Sequence, residues 1–170
     1  TRVAHRLVDG GYAERRAACE RAAEAFGVKS LRDLDENDLI KAKEILDDVT
    51  YRRMKHVLTE NSRVLKTVET LKSRGPLAIG DLMLASHASM RDDFEISIEE
   101  LDVAVETSMS AGAIGSRMTG GGFGGAAIAL VPKSKTAEIS QAVIAEFARR
   151  GFATPNTFTV LASAGAQREN

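Results

Sequence analysis

The residues best suited to chemistry lie in one glycine-rich segment, residues 115–125, which reads GSRMTGGGFGG. Six of these eleven residues are glycine, and an apolar run of six residues, AAIALV, follows directly. Glycine loses more backbone entropy on folding than any other residue. So dense a cluster therefore indicates a backbone that adopts positive φ angles, or that lies very close to a bound anion or to another part of the chain.

The spacing of Gly120, Gly122 and Gly125 satisfies the dinucleotide-binding pattern G-x-G-x-x-G. In a Rossmann unit that pattern opens a helix, whereas here it precedes a short apolar run that Pro132 closes, which is typical of a strand. No Lys-Ser or Lys-Thr pair follows, as a Walker A loop requires. The order of strand, glycine loop and strand leaves two hypotheses open: a hairpin connection whose glycines relieve backbone strain, or a loop that faces a ligand.

A second cluster contains every residue type of a Ser-His-Asp triad, in Ser86, His87, Asp92 and Asp93. Side chains that are adjacent in sequence diverge on a helix, and no G-x-S-x-G nucleophile elbow is present. We therefore interpret the cluster as the C-terminal end of a helix, where His87 and Arg91 meet the negative end of the helix dipole. We therefore expect no catalytic triad in this cluster.

Metal chemistry is not predicted either. His5, His56 and His87 lie far apart in the sequence, and Cys19 has no second cysteine with which to hold zinc. A single cysteine also allows no internal disulfide, which suits a reducing cytosol. The expectation is a cytoplasmic protein without a metal ligand in this chain.

The charge balance does not favour a nucleic acid or a membrane as partner. The 170 residues carry 23 basic and 24 acidic side chains, so the formal net charge is −1. We interpret the basic stretch at residues 52–66 as a solvated helix face. No apolar stretch approaches the length of about 20 residues that a membrane-spanning helix needs, and no signal-peptide core is present.

The elements that must position these residues are mostly helical. Helical spacing, helix formers and stop signals predict helices near residues 12–26, 51–71, 77–90, 97–112 and 134–151. Residues 31–46 are predicted to hold a short LRDL segment and then a helix that starts near Asn37 or Asp38. Strands are predicted at 114–119, at 126–131 and at 157–163, where β-branched and apolar residues concentrate. This order predicts an α+β fold, in which helices cover one face of a small antiparallel sheet.

Two local patterns support particular helices. Ser97 and Glu100 have the S-x-x-E spacing of a capping box at the start of the fifth helix. The third helix carries an apolar stripe that we expect to be buried, made of Tyr51, Met54, Val57, Leu58, Val64, Leu65, Val68 and Leu71.

Four segments in order along most of the chain carry a resemblance to a known family. They are residues 1–20 (TRVAHRLVDGGYAERRAACE), 51–64 (YRRMKHVLTENSRV), 86–97 (SHASMRDDFEIS) and 115–125 (GSRMTGGGFGG). Together they resemble the C-terminal domain of the galactokinases, in the GHMP family of small-molecule kinases, and the last resembles the third GHMP motif. The resemblance departs from the family pattern at Ala126, where cysteine is common, and at Glu99, where proline is frequent.

The resemblance implies that residues 1–170 form a GHMP kinase C-terminal domain, with a ferredoxin-like antiparallel sheet covered by helices and with additional helices. It implies ATP-dependent phosphorylation of the C1 hydroxyl of α-D-galactose, which yields galactose 1-phosphate. ATP and Mg²⁺ are expected to be bound mainly by an N-terminal domain that is absent from this chain and is its principal partner. Alone, the chain is expected to be inactive, and an open sheet edge makes self-association an expectation.

The resemblance also implies the site residues. It assigns the catalytic residues to the segment upstream of Thr1, so none is expected within this chain. Tyr12 matches the family tyrosine that contacts galactose. The glycine-rich motif is expected to line the cleft for nucleotide and substrate, through Thr119, Gly120, Gly121, Gly122, Phe123, Gly124 and Gly125. Three alternatives stay open: a sibling kinase for another small sugar such as N-acetylgalactosamine or arabinose, a non-catalytic paralogue that binds galactose and ATP and regulates a partner, and a stand-alone ferredoxin-like ligand-binding module.

Overall fold

The computed structural model describes residues 1–3, 10–161 and 163–165. The part of the chain that it describes forms six α-helices and one antiparallel pair of strands, which confirms the predicted α+β class. Short 3₁₀ helices occur at Leu31–Asp33, Pro76–Ile79 and Lys133–Lys135. In chain order the elements are α1 (Gly11–Phe26), α2 (Asp38–Ile45), α3 (Asp48–Arg74), α4 (Gly80–Asp92), α5 (Glu99–Ser110), β1 (Gly115–Thr119), β2 (Ala126–Leu130) and α6 (Thr136–Arg150).

Helices α1, α2 and α3 enclose one apolar core. The short side chains Ala22 and Ala23 of α1 pack with Met54 and Leu58 of α3, so the two helices lie close together. Helix α1 ends at Gly27, whose φ of 67° is left-handed and whose amide closes the last turn. This core holds the C-terminal half of α1 against α3.

The predicted apolar stripe of α3 is buried only over its first half. The last four positions, Val64, Leu65, Val68 and Leu71, are exposed, so the prediction is wrong there. With 27 residues α3 is about 40 Å long at 1.5 Å per residue, whereas the 16 residues of α1 span about 24 Å. Helix α1 cannot cover all of α3, and periodicity alone does not show where a covering helix ends.

Helices α4, α5 and α6 surround the strand pair and form a second core. Leu101 of α5 and Met118 of β1 are fully buried in one cluster, and Phe147 of α6 is fully buried against Val103. These contacts hold β1, and with it the start of the glycine-rich loop, against α4 and α5.

The predicted capping box at Ser97 does not form. The residue that precedes α5 is Ile98, and the Ser97 hydroxyl instead donates a hydrogen bond of 2.5 Å to Asp102 Oδ1. Three acidic residues lie in the first turn of α5, where carboxylates interact favourably with the positive end of the helix dipole. The helix therefore starts one residue later than the S-x-x-E pattern indicates, at Glu99 rather than at Ile98.

The sheet of the described residues has two strands, β1 and β2, paired from Gly115 with Leu130 to Thr119 with Ala126. The strand predicted at 157–163 is wrong for its described part, because residues 157–161 and 163 form no regular element. Phe158 and Leu161 are exposed there. A strand needs a neighbour for its backbone hydrogen bonds, and β propensity alone does not supply one.

None of the helices in the described ranges is both long and apolar enough to cross a membrane.

Candidate functional site

The glycine-rich segment is a hairpin with a six-residue connection, residues 120–125, between β1 and β2. No helix follows it, which agrees with the exclusion of a Rossmann loop. Four of its glycines have positive φ, and Phe123 also lies in the left-handed region at φ 58°. A non-glycine residue rarely adopts that conformation unless surrounding contacts hold it there.

Two of the glycines allow another part of the chain to approach closely. A Cβ added to Gly122, whose φ is 83°, would lie 2.4 Å from the carbonyl oxygen of Ile96. One added to Gly124, whose φ is 133°, would lie 2.9 Å from the carbonyl oxygen of Val3. By contrast, Gly120 is exposed and a Cβ there would meet nothing within 4 Å. The connection therefore has a packed side, at residues 122–125, and an open side, at residues 120–121.

Hydrogen bonds hold the packed side in place. The Phe123 amide donates to the carbonyl oxygen of Ile96 over 2.7 Å, and the Gly125 amide donates to that of Val3 over 3.4 Å. The hydroxyl group and the backbone nitrogen of Thr1 both donate to the Gly125 carbonyl oxygen over 2.9 Å. The glycine-rich connection is thus clamped between residues 94–96 and residues 1–3.

The structure brings Tyr12 next to this connection. Helix α1 starts at Gly11, and a Cβ on Gly11 would lie 2.7 Å from the Phe123 ring. Tyr12 follows directly and is 69 % exposed. The two predicted parts of the site, Tyr12 and residues 119–125, therefore share one surface. Residues 4–9, which lead into α1 and include His5, lie outside the described residues.

Residues 94–96 form a corner that three arginines hold, and sequence reasoning missed it. Glu95 has a left-handed φ of 52°. Arg15 donates to the carbonyl oxygens of Phe94 and Glu95 over 2.9 and 2.8 Å. Arg53 donates to Glu95 Oε2 over 2.5 Å, and Arg52 contacts the same carboxylate. The hydrogen bonds from Arg52 and Arg53 lower the pKa of Glu95 to about 2.

The basic stretch at residues 52–66 is therefore not a uniformly solvated face, and that interpretation is wrong for Arg53 and His56. Arg53 is 2 % exposed, and it also donates to the carbonyl oxygen of Asp93 over 2.6 Å. A buried guanidinium needs hydrogen-bond acceptors, and here they come from the acidic segment after α4. The one signal of this contact in the sequence was the acidic segment at residues 92–95, whose charge is complementary to that of the basic stretch.

The Ser-His-Asp cluster does not form a triad. The Ser86 hydroxyl donates to Glu60 Oε1 over 2.5 Å rather than to a histidine. His87 is buried, and its Nδ1 accepts a hydrogen bond of 3.2 Å from the amide of Met118. Its Nε2 lies 3.2 Å from Asp102 Oδ1 without the alignment of a hydrogen bond. His87 lies within α4 and connects this helix to β1. The interpretation that His87 and Arg91 both meet the C-terminal end of the helix is therefore confirmed for Arg91 and wrong for His87.

His56, on α3, is buried against the end of α4. Its ring stacks on Phe94 with centroids 4.5 Å apart, and its Nδ1 lies 3.0 Å from Ser89 Oγ. The Ser89 hydroxyl donates to Asp93 Oδ2 over 3.1 Å, so the neutral imidazole fits as the donor to Ser89. Burial lowers the pKa of His56 to about 4. The His56 imidazole is thus neutral in the fold, and its ring positions Phe94 by stacking.

Two further observations limit the site. No group of three acidic, histidine or cysteine side chains among the described residues is placed to hold a metal ion. A groove of about 670 Å³ lies between α1, the turn at residues 28–32 and α3, and neither Tyr12 nor residues 119–125 line it. In this chain the candidate site is an open surface.

Comparison with known proteins agrees with this arrangement. Residues 67–149, which include α4, α5, both strands and the glycine-rich connection, match the family model described as "GHMP kinases C terminal". A galactokinase of Streptomyces coelicolor is 46 % identical over 170 residues, which cover 99 % of this chain and 44 % of that protein. A galactokinase of Mycobacterium tuberculosis is 44 % identical over 166 residues, which cover 98 % of this chain and 46 % of that protein.

A solved galactokinase structure also matches this chain. The galactokinase of Lactococcus lactis, determined in complex with galactose, superposes with a TM-score of 0.82 at 33 % identity. The match covers 89 % of this chain and 41 % of that protein. The chain thus spans less than half the length of the galactokinases that it matches. From the glycine-rich hairpin, the helical frame around it and these matches, we conclude that the chain belongs to the GHMP kinase family and corresponds to its C-terminal region.

Proposed function

We propose that this chain is the C-terminal domain of a cytoplasmic galactokinase, which transfers the γ-phosphoryl group of ATP to the C1 hydroxyl of α-D-galactose. The observation that supports this most is the contact of the Phe123 ring with Gly11, the residue directly before Tyr12. A sugar contact and a nucleotide-side loop must lie close together in any enzyme that joins these two substrates. The similarity of nearly the whole chain to galactokinases makes galactose the preferred sugar.

In this proposal the chain binds and orients rather than reacts. Phosphoryl transfer depends mainly on positioning and on charge stabilisation, with little covalent chemistry from the protein. The Tyr12 hydroxyl hydrogen-bonds the sugar, and residues 119–125 line the nucleotide side of the cleft, with the open face at 120–121 toward the phosphates. Backbone amides of a glycine turn suit this role because no side chain blocks them.

ATP supplies the phosphoryl group, and Mg²⁺ neutralises the charge that develops on it. The described residues offer no carboxylate cluster for the metal, so we assign Mg²⁺ and most ATP contacts to an N-terminal domain. That domain would close the cleft over the open surface that carries Tyr12, which is why this chain forms only one wall of the site.

The full-length protein that contains this chain should be assayed with ATP and a panel of galactose, N-acetylgalactosamine and arabinose. We expect phosphorylation of galactose with the highest kcat/KM. A higher kcat/KM for another sugar would refute galactose as the substrate and point to a sibling kinase. Binding of galactose and ATP without turnover would refute the enzymatic function and point to a regulatory paralogue.

The role of Tyr12 gives a specific prediction. Replacing Tyr12 by phenylalanine removes one hydroxyl, and we expect galactose binding to weaken by about 1–2 kcal/mol, which is roughly a 5–30-fold rise in KM for the sugar. The KM for ATP should stay within about twofold, because Tyr12 does not contact the nucleotide in this proposal. Steady-state kinetics with each substrate varied in turn measures both values.

Tyr51→Phe is the matched control, since Tyr51 is the other tyrosine of the chain and packs against the helical core away from the site. It should leave both KM values unchanged. A galactose KM that is equal in wild type and in Tyr12→Phe would contradict the sugar-contact role.

A further inference from the structure

Arg15 connects the two predicted parts of the site, although its sequence context gave it no role. It lies on α1, three residues after Tyr12, so the two residues are neighbours on the helix surface. Arg15 is buried, with only 8 % of its surface exposed. Its Nε and one terminal nitrogen donate to consecutive carbonyl oxygens, of Phe94 and Glu95, and so use the planar fork of the guanidinium.

The same guanidinium also contacts the glycine-rich connection. Its central carbon lies 5.4 Å from the centroid of the Phe123 ring, a cation–π distance. The Phe123 ring also lies against Gly11. The Phe123 amide donates to the carbonyl oxygen of Ile96, the residue after Glu95. Arg15 is therefore shared by three segments: the start of α1, the corner at 94–96 and the connection at 120–125.

We propose that Arg15 is a positioning residue that holds Tyr12 and the glycine-rich connection in one fixed geometry. This inference rests on the proposed function, because it assigns Tyr12 to the sugar and residues 119–125 to the nucleotide side. One residue that fixes both surfaces sets the distance between sugar and phosphates, on which phosphoryl transfer depends. Lysine cannot replace it, because an ammonium group does not present the two parallel donors of a guanidinium.

The test uses the full-length protein with Arg15→Lys, which keeps the charge and most of the stem. We expect kcat/KM for galactose phosphorylation to fall about tenfold or more, since charged hydrogen bonds in a buried setting are lost. The KM for both substrates should rise. Hydrogen exchange should accelerate in the peptide that contains residues 120–125, where the Phe123 amide is protected by its bond to Ile96.

Arg21→Met is the matched control, because Arg21 lies on α1 six residues after Arg15 and its exposed side chain donates to Thr50 Oγ1 of α3 over 3.3 Å. It should change neither the kinetics nor the exchange of residues 120–125. As a second variant, Phe123→Leu removes the ring while keeping an apolar side chain. We expect Arg15→Lys and Phe123→Leu together to cost less than the product of their separate effects, since they disrupt one contact.

The outcomes separate this inference from the proposed function. Unchanged exchange at 120–125 in a folded Arg15→Lys protein overturns the inference, and so does a lower melting temperature with unchanged KM values, which indicates packing alone. A wild-type protein that phosphorylates no galactose refutes the proposed function. If Arg15→Lys still accelerates exchange at 120–125 in that protein, the positioning role of Arg15 is supported.

Discussion

Replacing Gly122 by alanine should reduce kcat/KM of the full-length protein about 100-fold, the largest effect we expect from a single methyl group. The new Cβ would lie 2.4 Å from the Ile96 carbonyl oxygen and 2.5 Å from Ile96 Cβ. The Ile96 carbonyl oxygen accepts a hydrogen bond from the Phe123 amide, and Arg15 and Arg53 hold the corner at 94–96. Ile96 therefore cannot move away from the new Cβ without breaking these bonds. The connection must move instead, and a shift of about 1 Å at a reacting site costs about 100-fold in rate.

Gly151→Ala separates this clash from the cost of a left-handed alanine. Gly151 follows α6, outside the proposed site, and has a similar φ, 74° against 83°, but a Cβ there meets nothing within 4 Å. Both variants carry the left-handed strain of roughly 1–2 kcal/mol. Only Gly122→Ala also displaces the connection, so its kcat/KM should be at least about tenfold below that of Gly151→Ala. Equal kinetics for the two variants would show that the packed side of the connection has no part in positioning.

Acidification should destabilise the fold through His56. Because burial lowers the pKa of His56 from 6.5 to about 4, the folded state keeps this imidazole neutral between these values, while the unfolded state takes up a proton. The unfolded state therefore binds more protons, and stability falls as the pH drops from about 6.5 to about 4. A shift of this size corresponds to about 3 kcal/mol of unfolding free energy.

Urea unfolding followed across that pH range measures the slope. In His56→Asn an uncharged amide can still donate to Ser89, but the ring that stacks on Phe94 is lost. The variant is therefore less stable at neutral pH, and it lacks this titration. We expect the wild-type curve to fall more steeply than the variant curve by about 3 kcal/mol over the range. Parallel curves would show that His56 is not buried as a neutral group.

The glycine-rich hairpin could be predicted because its signals are local. Glycine density, the apolar run after it and Pro132 together exclude a helix and indicate a turn between strands. The helices followed from periodicity in the same way. These patterns depend on residues within a few positions of one another, and the structure agrees with them.

The corner at 94–96 could not be predicted because its partners are distant in sequence. Arg53 meets Glu95 across 42 positions, and Arg15 meets the Glu95 carbonyl across 80. An arginine in a basic run is usually solvated, and only the folded chain shows that Arg53 is buried against the Asp93 carbonyl oxygen and the Glu95 carboxylate. The strand expected at 157–163 failed for a related reason, since a strand is defined by a neighbour rather than by its own composition.

The most direct measurement compares phosphorylation of galactose by the full-length protein with that by this 170-residue chain alone, at equal molar concentration. If this chain supplies one wall of a shared site, the full-length protein converts galactose and ATP to galactose 1-phosphate and ADP, and the chain alone gives no turnover above background. Ordinary turnover by the chain alone, or none by the full-length protein, would contradict a galactokinase site completed by a second domain.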